Sequence, residues 1–165
     1  MREKNTDLNT KCVHEGELPI DQYKSAVSPL YFSTAFDYQD QHLDQYPRYF
    51  NTPNQIGLNQ KIAALDHCES GLVFASGMAA ITSTLLGLLS AGDHMVIQNS
   101  IYGGTYNFVA NHLKDFGIQH DFTAGLNADD FAQKIKPNTK IIYIESPSNP
   151  LLEIVDFKAI VARAH

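Results

Sequence analysis

The sequence predicts an α/β fold: a mostly parallel sheet with helices on both faces, preceded by an extended N-terminal arm. Three observations carry this. Downstream of Pro53, short apolar runs alternate with stretches of helical period, which is the pattern of parallel strands joined by helical crossovers. The apolar runs are not interleaved with polar residues, as strands covered on both faces require. Upstream of Pro53 neither period is sustained. The expected division is an arm at residues 1–54, whose surface suits a partner subunit, and an α/β domain at residues 55–165.

The arm contains "LPIDQYKSAVSPLYFSTAFDYQDQHLDQYPRYFNTPNQ", rich in Tyr, Phe, Asp, Gln and Pro. It reads as extended chain with room for a short helix, and its aromatic residues need a surface to cover. In "QIGLNQKIAALD", Ile56, Ile62, Ala63 and Leu65 lie near helical spacing. "GLVFAS" reads as a strand and "GMAAITSTLLGLLS" as a helix stopped by the turn "AGD". "HMVIQ" is a short apolar strand. "GTYNFVANHLKDFG" sets Phe108, Val109, Leu113 and Phe116 on one helical face, with Gly117 where a C-terminal glycine belongs. "IQHDFT" follows as a strand. "NADDFAQKI" opens on Asn127 as an N-cap with acids in the first turn. "TKIIYIES" is the strongest strand, and "DFKAIVARAH" begins another helix.

The 165 residues carry a formal net charge of −6. That argues against nucleic acid or an anionic membrane surface as the main partner, and leaves room for a small anion at a locally positive site. Two scattered cysteines, Cys12 and Cys68, form no disulfide framework. Neither Cys12 with His14 nor His67 with Cys68 has zinc spacing, so no metal is expected. The start "MREKNTDLNT" has no apolar core, which points to the cytoplasm. Ser70 to Gly92 contains no charge. Its hydroxyls and its mid-run Ser-Gly turn suit a buried strand followed by a buried helix better than a membrane span.

In parallel sheets ligands gather at the carboxyl ends of the strands, so the informative loops follow Phe74, Gln98, Thr123 and Ile144. The first, "ASGMAA", turns a strand into a helix at Ser76 and Gly77. A helix N-terminus offers unpaired N–H groups and a positive dipole end, which suit a phosphate. A plain N-cap explains the same residues. In "NSIYGGT", Tyr102 precedes two glycines, and its ring either covers a flat ligand or packs on the sheet edge. In "IESPSNP", Glu145, Ser146, Ser148 and Asn149 lie on a loop stiffened by Pro147 and Pro150. Ligand contact and ordinary turn chemistry both account for Asn149.

Taken together, "TKCVHEGE", "LVFASGMAAI", "LLSAGDHMV", "YGGTYNF", "FGIQHDF" and "KPNTKIIYIESPSNPLLEIVD" resemble the Cys/Met-metabolism family of pyridoxal-phosphate-dependent enzymes. Its members include cystathionine γ-synthases, cystathionine lyases, methionine γ-lyases and acylhomoserine sulfhydrylases. The resemblance runs in order from about Thr10 to the end of the chain. It implies an aminotransferase-like fold type I large domain and pyridoxal 5′-phosphate as cofactor. It also implies homo-oligomers, dimers of dimers in the family.

On this resemblance the cofactor phosphate rests on Ser76, Gly77 and Met78. Tyr102 stacks on the pyridine ring and is the catalytic candidate, as a proton shuttle or substrate contact. Asn149 lies near the cofactor O3′ and the substrate carboxylate. Tyr46 and Arg48 reach the phosphate from a neighbouring subunit; a guanidinium fork suits a dianionic phosphate. The family's Tyr-x-Arg-x-x-Asn-Pro-Thr reads here Tyr46-x-Arg48-x-x-Asn51-Thr52-Pro53.

The family's Schiff-base lysine, the aspartate that binds the pyridine nitrogen and the small domain belong to later segments, outside these 165 residues. The resemblance therefore implies a lyase or transferase of sulfur amino acid metabolism, acting by γ- or β-elimination or γ-replacement on cystathionine, methionine or acylhomoserine. The chain by itself is expected to be inactive. The alternative is a non-catalytic fragment or partner subunit of a full-length paralogue that binds only the cofactor phosphate. A sheet lacking its later strands is expected to have an open edge.

Overall fold

A computed structural model describes residues 7–19, 23–37 and 45–164. The start "MREKNT", residues 20–22 and 38–44 of the expected arm, and His165 lie outside them. Two compact units divide the chain, Met1–Phe74 and Ala75–His165.

The first unit is built on two helices. Helix α1, Leu8–His14, starts because the Asp7 carboxylate accepts the Thr10 N–H at 2.8 Å. Helix α2, Pro53–Leu65, has Thr52 as its extended N-cap and Pro53 at its first position, where a missing N–H costs nothing. The Thr52 N–H and hydroxyl both donate to Gln55 Oε1, at 3.2 and 2.8 Å. Lys61 Nζ donates to the Cys12 carbonyl at 3.2 Å and so ties α2 to α1. Gly16, at φ +72°, passes so close to the Gly57 carbonyl that no Cβ fits. The segment after it is irregular but stapled. Glu17 accepts the N–H and hydroxyl of Ser28, and the Asn54 side chain pairs with both backbone groups of Tyr31. Tyr23 and Phe32 are largely exposed, at 81% and 94%.

The expected strand "GLVFAS" does not form: residues 71–74 carry no ladder and Leu72 is exposed. Apolar residues do not make a strand without a neighbour whose N–H and C=O groups are free to pair.

The second unit holds that sheet. Strands β1 (His94–Ile97), β2 (Gln119–Phe122) and β3 (Thr139–Tyr143) are all parallel, in the order β2-β1-β3. Alternate residues of β1 face opposite ways. Met95 and Ile97 join Leu85, Leu89, Val109, Leu113 and Ile118 on one face. Val96 joins Phe131, Val155 and Ile160 on the other. Helices α3 (Gly77–Leu88) and α4 (Gly103–Asn107) thus supply one layer, and α5 (Ala128–Ala132) and α6 (Phe157–Ala164) the second. The expected helices on both faces are present.

Three details depart from expectation. Strand β2 reads Gln-His-Asp-Phe and is only partly buried, as an edge strand can be; only β1 is buried at all four positions. Within α3 only Leu85 is buried, while Leu86 and Leu88 are exposed, because the sheet covers one face of the helix. The helix expected through Gly117 changes pitch. After α4, Phe108–His112 form a wide π turn and Leu113–Phe116 a tight 3-10 turn. Phe, Val, Asn and His are indifferent helix formers, which leaves packing to choose the pitch. Gly117 does end it, at φ +72°. Asn127 is the N-cap of α5, its N–H donating to Asp130 Oδ2 at 3.0 Å. Among the described residues no helix is long and apolar enough to cross a membrane.

The amino ends of the strands share a polar cluster around the buried His94. Thr139 Oγ1 accepts the Lys136 N–H at 2.7 Å and lies 2.7 Å from His94 Nδ1. Its own proton then goes to Nδ1, which leaves His94 Nε2–H to face Asp121 Oδ2 at 3.2 Å. Lys136 Nζ sits 2.7 Å from the same oxygen. Burial, with help from Lys136, holds the His94 pKa below its ordinary value against the opposing pull of Asp121. The Lys136 hydrogen bond holds the Asp121 carboxyl low.

Candidate functional site

The carboxyl ends of the strands carry a different arrangement. Ser76 is extended, and its Oγ accepts the Ala79 N–H at 3.1 Å, so α3 begins at Gly77. The leading N–H groups of Gly77 and Met78 have no helical acceptor behind them. A Cβ placed on Gly77 would meet no protein atom within 4 Å. The glycine therefore serves neither a strained turn nor tight internal packing; it leaves open the space in front of the helix end.

Strand β1 runs into a loop pinned at several points. Gln98 is fully buried; its Nε2 donates to the Ser100 carbonyl at 2.7 Å and its Oε1 accepts the Glu145 N–H at 3.2 Å. Tyr102 follows, and its N–H donates to Glu145 Oε2 at 2.8 Å. The Tyr102 ring lies against Gly104. A Cβ there would stand 2.5 Å from Tyr102 Cε1 and 3.0 Å from Met78 Sδ. The ring is 46% exposed, so it presents surface outward while packed beneath. Thr105, fully buried, donates to Glu145 Oε1 at 3.3 Å and lies 4.0 Å from Met78 Sδ. The Tyr143 hydroxyl donates to the same Oε1 at 2.9 Å. Burial chiefly, and then the Glu145 carboxylate, push the Tyr143 pKa up to about 12, so this phenol stays protonated and donates.

After β3 the chain passes through two cis prolyl bonds, Ser146–Pro147 and Asn149–Pro150. Ser148 between them is buried; its Oγ accepts from the Glu153 N–H at 3.1 Å and from the Ser100 hydroxyl at 3.3 Å. Asn149 is exposed, and its side chain bonds to no group among the described residues.

The second unit thus brings Ser76, Gly77, Met78 and Tyr102 to one end of the sheet, with the Asn149 loop tied there through Ser148 and Ser100. Tyr46 and Arg48 belong to the first unit. The Tyr46 N–H donates to Asn51 Oδ1 at 2.8 Å and its ring lies 5.4 Å from Tyr49. Arg48 stands exposed on the 3-10 turn Pro47–Tyr49, with no ion pair among the described residues. Reading the sequence placed Glu145 on a candidate loop but assigned it no partner, and gave Gly104 and Thr105 no role. Glu145 sits where a strong strand ends, the one available signal. No group of His, Cys, Asp and Glu among the described residues could hold a metal ion.

The family described as Cys/Met metabolism PLP-dependent enzyme matches residues 9–165. The chain belongs to this family. Within the Cys/Met family, a cystathionine beta-lyase, MetC of Bacillus subtilis, is 40% identical over 99% of this chain and 42% of its own length. An L-methionine gamma-lyase of Fusobacterium nucleatum is 35% identical over 100% of this chain and 44% of its own. A crystal structure of metB from Corynebacterium glutamicum superposes with a TM-score of 0.88 at 30% identity, covering 99% of this chain and 43% of that one. A cystathionine gamma-lyase from Lactobacillus plantarum, complexed with L-serine, gives 0.84 at 35% identity, covering 96% and 42%. The fold is that of these enzymes, and the chain spans under half of their length.

Pyridoxal 5′-phosphate is the cofactor of the Cys/Met family. The residues of the second unit fit it. Gly77 leaves empty the volume that a Cβ would fill at a positive helix end, and a half-exposed ring stands fixed beside it.

Proposed function

We propose that this chain forms the phosphate- and ring-binding part of a pyridoxal-phosphate-dependent lyase or transferase of sulfur amino acid metabolism. The single observation that carries the reading is the open N-terminus of α3 at Gly77 with Tyr102 packed beside it over Gly104. The backbone N–H groups at Ser76, Gly77 and Met78 would hold the phosphate, and Tyr102 would stack on the pyridine ring. Asn149, exposed and uncommitted, would bond to the ring hydroxyl and the substrate carboxylate. When bound, pyridoxal phosphate supplies a protonated pyridine that withdraws electrons from the substrate Cα. The Tyr102 phenol would then move a proton at the substrate or orient it.

Tyr46 and Arg48 act across a subunit interface in this reading, and residues 1–54 are the arm that makes that contact. Arg48 carries a cation with no carboxylate partner among the described residues, which suits a phosphate approached from another subunit. The partner is then a second copy of the chain or a longer paralogue. The substrates are sulfur-containing or activated amino acids such as cystathionine, methionine or an acylhomoserine, and the compartment is the cytoplasm.

Equilibrium dialysis tests the reading. Pyridoxal phosphate should bind, inorganic phosphate should displace it, and pyridoxal without phosphate should compete poorly. Failure of inorganic phosphate to compete would overturn the phosphate site. Turnover is assayed separately with cystathionine, methionine and acylhomoserine, together with borohydride reduction. No turnover is expected from the 165-residue chain, and lysine adducts trapped by borohydride should be scattered over its surface; turnover with one stoichiometric lysine adduct would show that it is catalytic by itself.

A further inference from the structure

Among the described residues, Glu145 collects more donors than any other side chain near the sheet's carboxyl ends. Its Oε2 accepts the Tyr102 N–H at 2.8 Å. Its Oε1 accepts from the Tyr143 hydroxyl at 2.9 Å and from the Thr105 hydroxyl at 3.3 Å. Its own N–H is fixed by the fully buried Gln98 at 3.2 Å. The carboxylate therefore joins the end of β3, the loop after β1 and the first turn of α4. Thr105 extends the connection to Met78, and a Cβ on Gly104 would crowd both the Tyr102 ring and the same sulfur.

A carboxylate suits these partners: its two oxygens offer about four lone-pair sites to three donors. An amide in its place could keep its oxygen on the Tyr102 N–H and turn its NH2 toward the Tyr143 and Thr105 hydroxyls, which would then accept; what it loses is the charge on the bond to Tyr102. The bond to the Tyr102 backbone is charge-assisted, so it holds the residue's entry into α4 more firmly than a neutral bond would.

We infer that Glu145 is a positioning residue: by holding the Tyr102 backbone at the end of β3 it fixes the plane of the Tyr102 ring against which a flat ligand stacks. The inference rests on the reading of Tyr102 given above. Glu145 touches no ligand itself. A staple that served only folding would weaken every ligand alike when removed. A positioning group weakens only ligands that use the ring.

The test compares two ligands on the full 165-residue chain. Pyridoxine phosphate carries the ring and the phosphate but no aldehyde, so surface lysines do not capture it. Inorganic phosphate reads the Ser76–Gly77–Met78 turn alone. Glu145→Gln should lower pyridoxine phosphate affinity by about 3- to 10-fold, no more than loss of the Tyr102 ring itself, and leave inorganic phosphate within about twofold. The circular dichroism induced in the bound achiral ring should fall in parallel. In a Tyr102→Ala background Glu145→Gln should cause no further loss. Thr105→Val, which removes one donor and keeps the side-chain shape, should act in the same direction by about threefold; it serves if Glu145→Gln does not fold.

Equal loss of both ligands in these variants, or an unchanged ratio and dichroism, overturns the inference. If wild type binds pyridoxine phosphate no better than inorganic phosphate, the stacking role of Tyr102 fails first and the inference with it. A wild-type preference that survives Glu145→Gln refutes the role of Glu145 alone.

Discussion

The ring of Tyr102 rests on the α-carbon of Gly104, so closely that a Cβ there would stand 2.5 Å from Tyr102 Cε1. Backbone conformation does not require glycine at this position, since no positive φ is involved; contact with the ring does. Gly104→Ala should therefore push the Tyr102 ring off its seat. Affinity for pyridoxal phosphate should drop while inorganic phosphate binding at α3 persists, as read by equilibrium dialysis of both ligands. Equal loss of the two would instead mean that the change damages the whole region.

Tyr102 offers a ring and a hydroxyl, and substitutions separate them. Tyr102→Phe keeps the stacking surface and should bind pyridoxal phosphate within about twofold of wild type. Tyr102→Ala removes it and should lose about 3- to 10-fold, the range of an aromatic pair worth ~0.5–1.5 kcal/mol. In a complete enzyme of the family, Tyr102→Phe should lower kcat far more than it raises KM if the phenol moves a proton. Titration and steady-state kinetics measure the two effects.

The polar cluster at the amino ends of the strands predicts acid sensitivity in two stages. The folded His94 has a pKa below its ordinary value of 6.5. As pH falls through 6.5 the unfolded chain takes up protons that the folded chain refuses, so stability is complete above that value and declines below it. His120, also held low mainly by burial, contributes to the same decline. Asp121 is held below 3.8 first by Lys136, so its contribution is present above that pH and lost on further acidification. Thermal midpoints taken from neutral to acid pH should show both stages. His94→Gln should shrink the first and spare the second; an unchanged profile would remove His94 from the explanation.

The fold was legible where local chemistry decides the outcome. Asn127 before two acids and Gly117 after a helical stretch each announce a helix end, and each occupies one. The run His94–Ile97 is a central strand because Met95, Val96 and Ile97 are apolar and His94 finds polar partners on Thr139 and Asp121. "GLVFAS" looked equally strand-like and is not one, since a ladder depends on a neighbour that the run itself does not encode. The site divided in the same way. A serine and glycine at a helix start can be found by inspection, whereas Glu145 meets the Tyr102 N–H across 43 residues of sequence. A carboxylate at a strand's end resembles any turn residue until the fold closes. The resemblance to a family supplied the role of Tyr102, and the structure supplied the contacts beneath it.

The most direct test of the central claim is a paired measurement on Gly77→Ala: pyridoxine phosphate affinity by equilibrium dialysis and the thermal midpoint of the same samples. The added methyl meets no protein atom, so the fold should be unaffected or stabilised by up to about 1 kcal/mol. The methyl would enter the space assigned to the phosphate, and affinity should fall about tenfold or more. Undiminished affinity in a Gly77→Ala protein that melts like wild type would contradict the assignment of this helix end as the phosphate site.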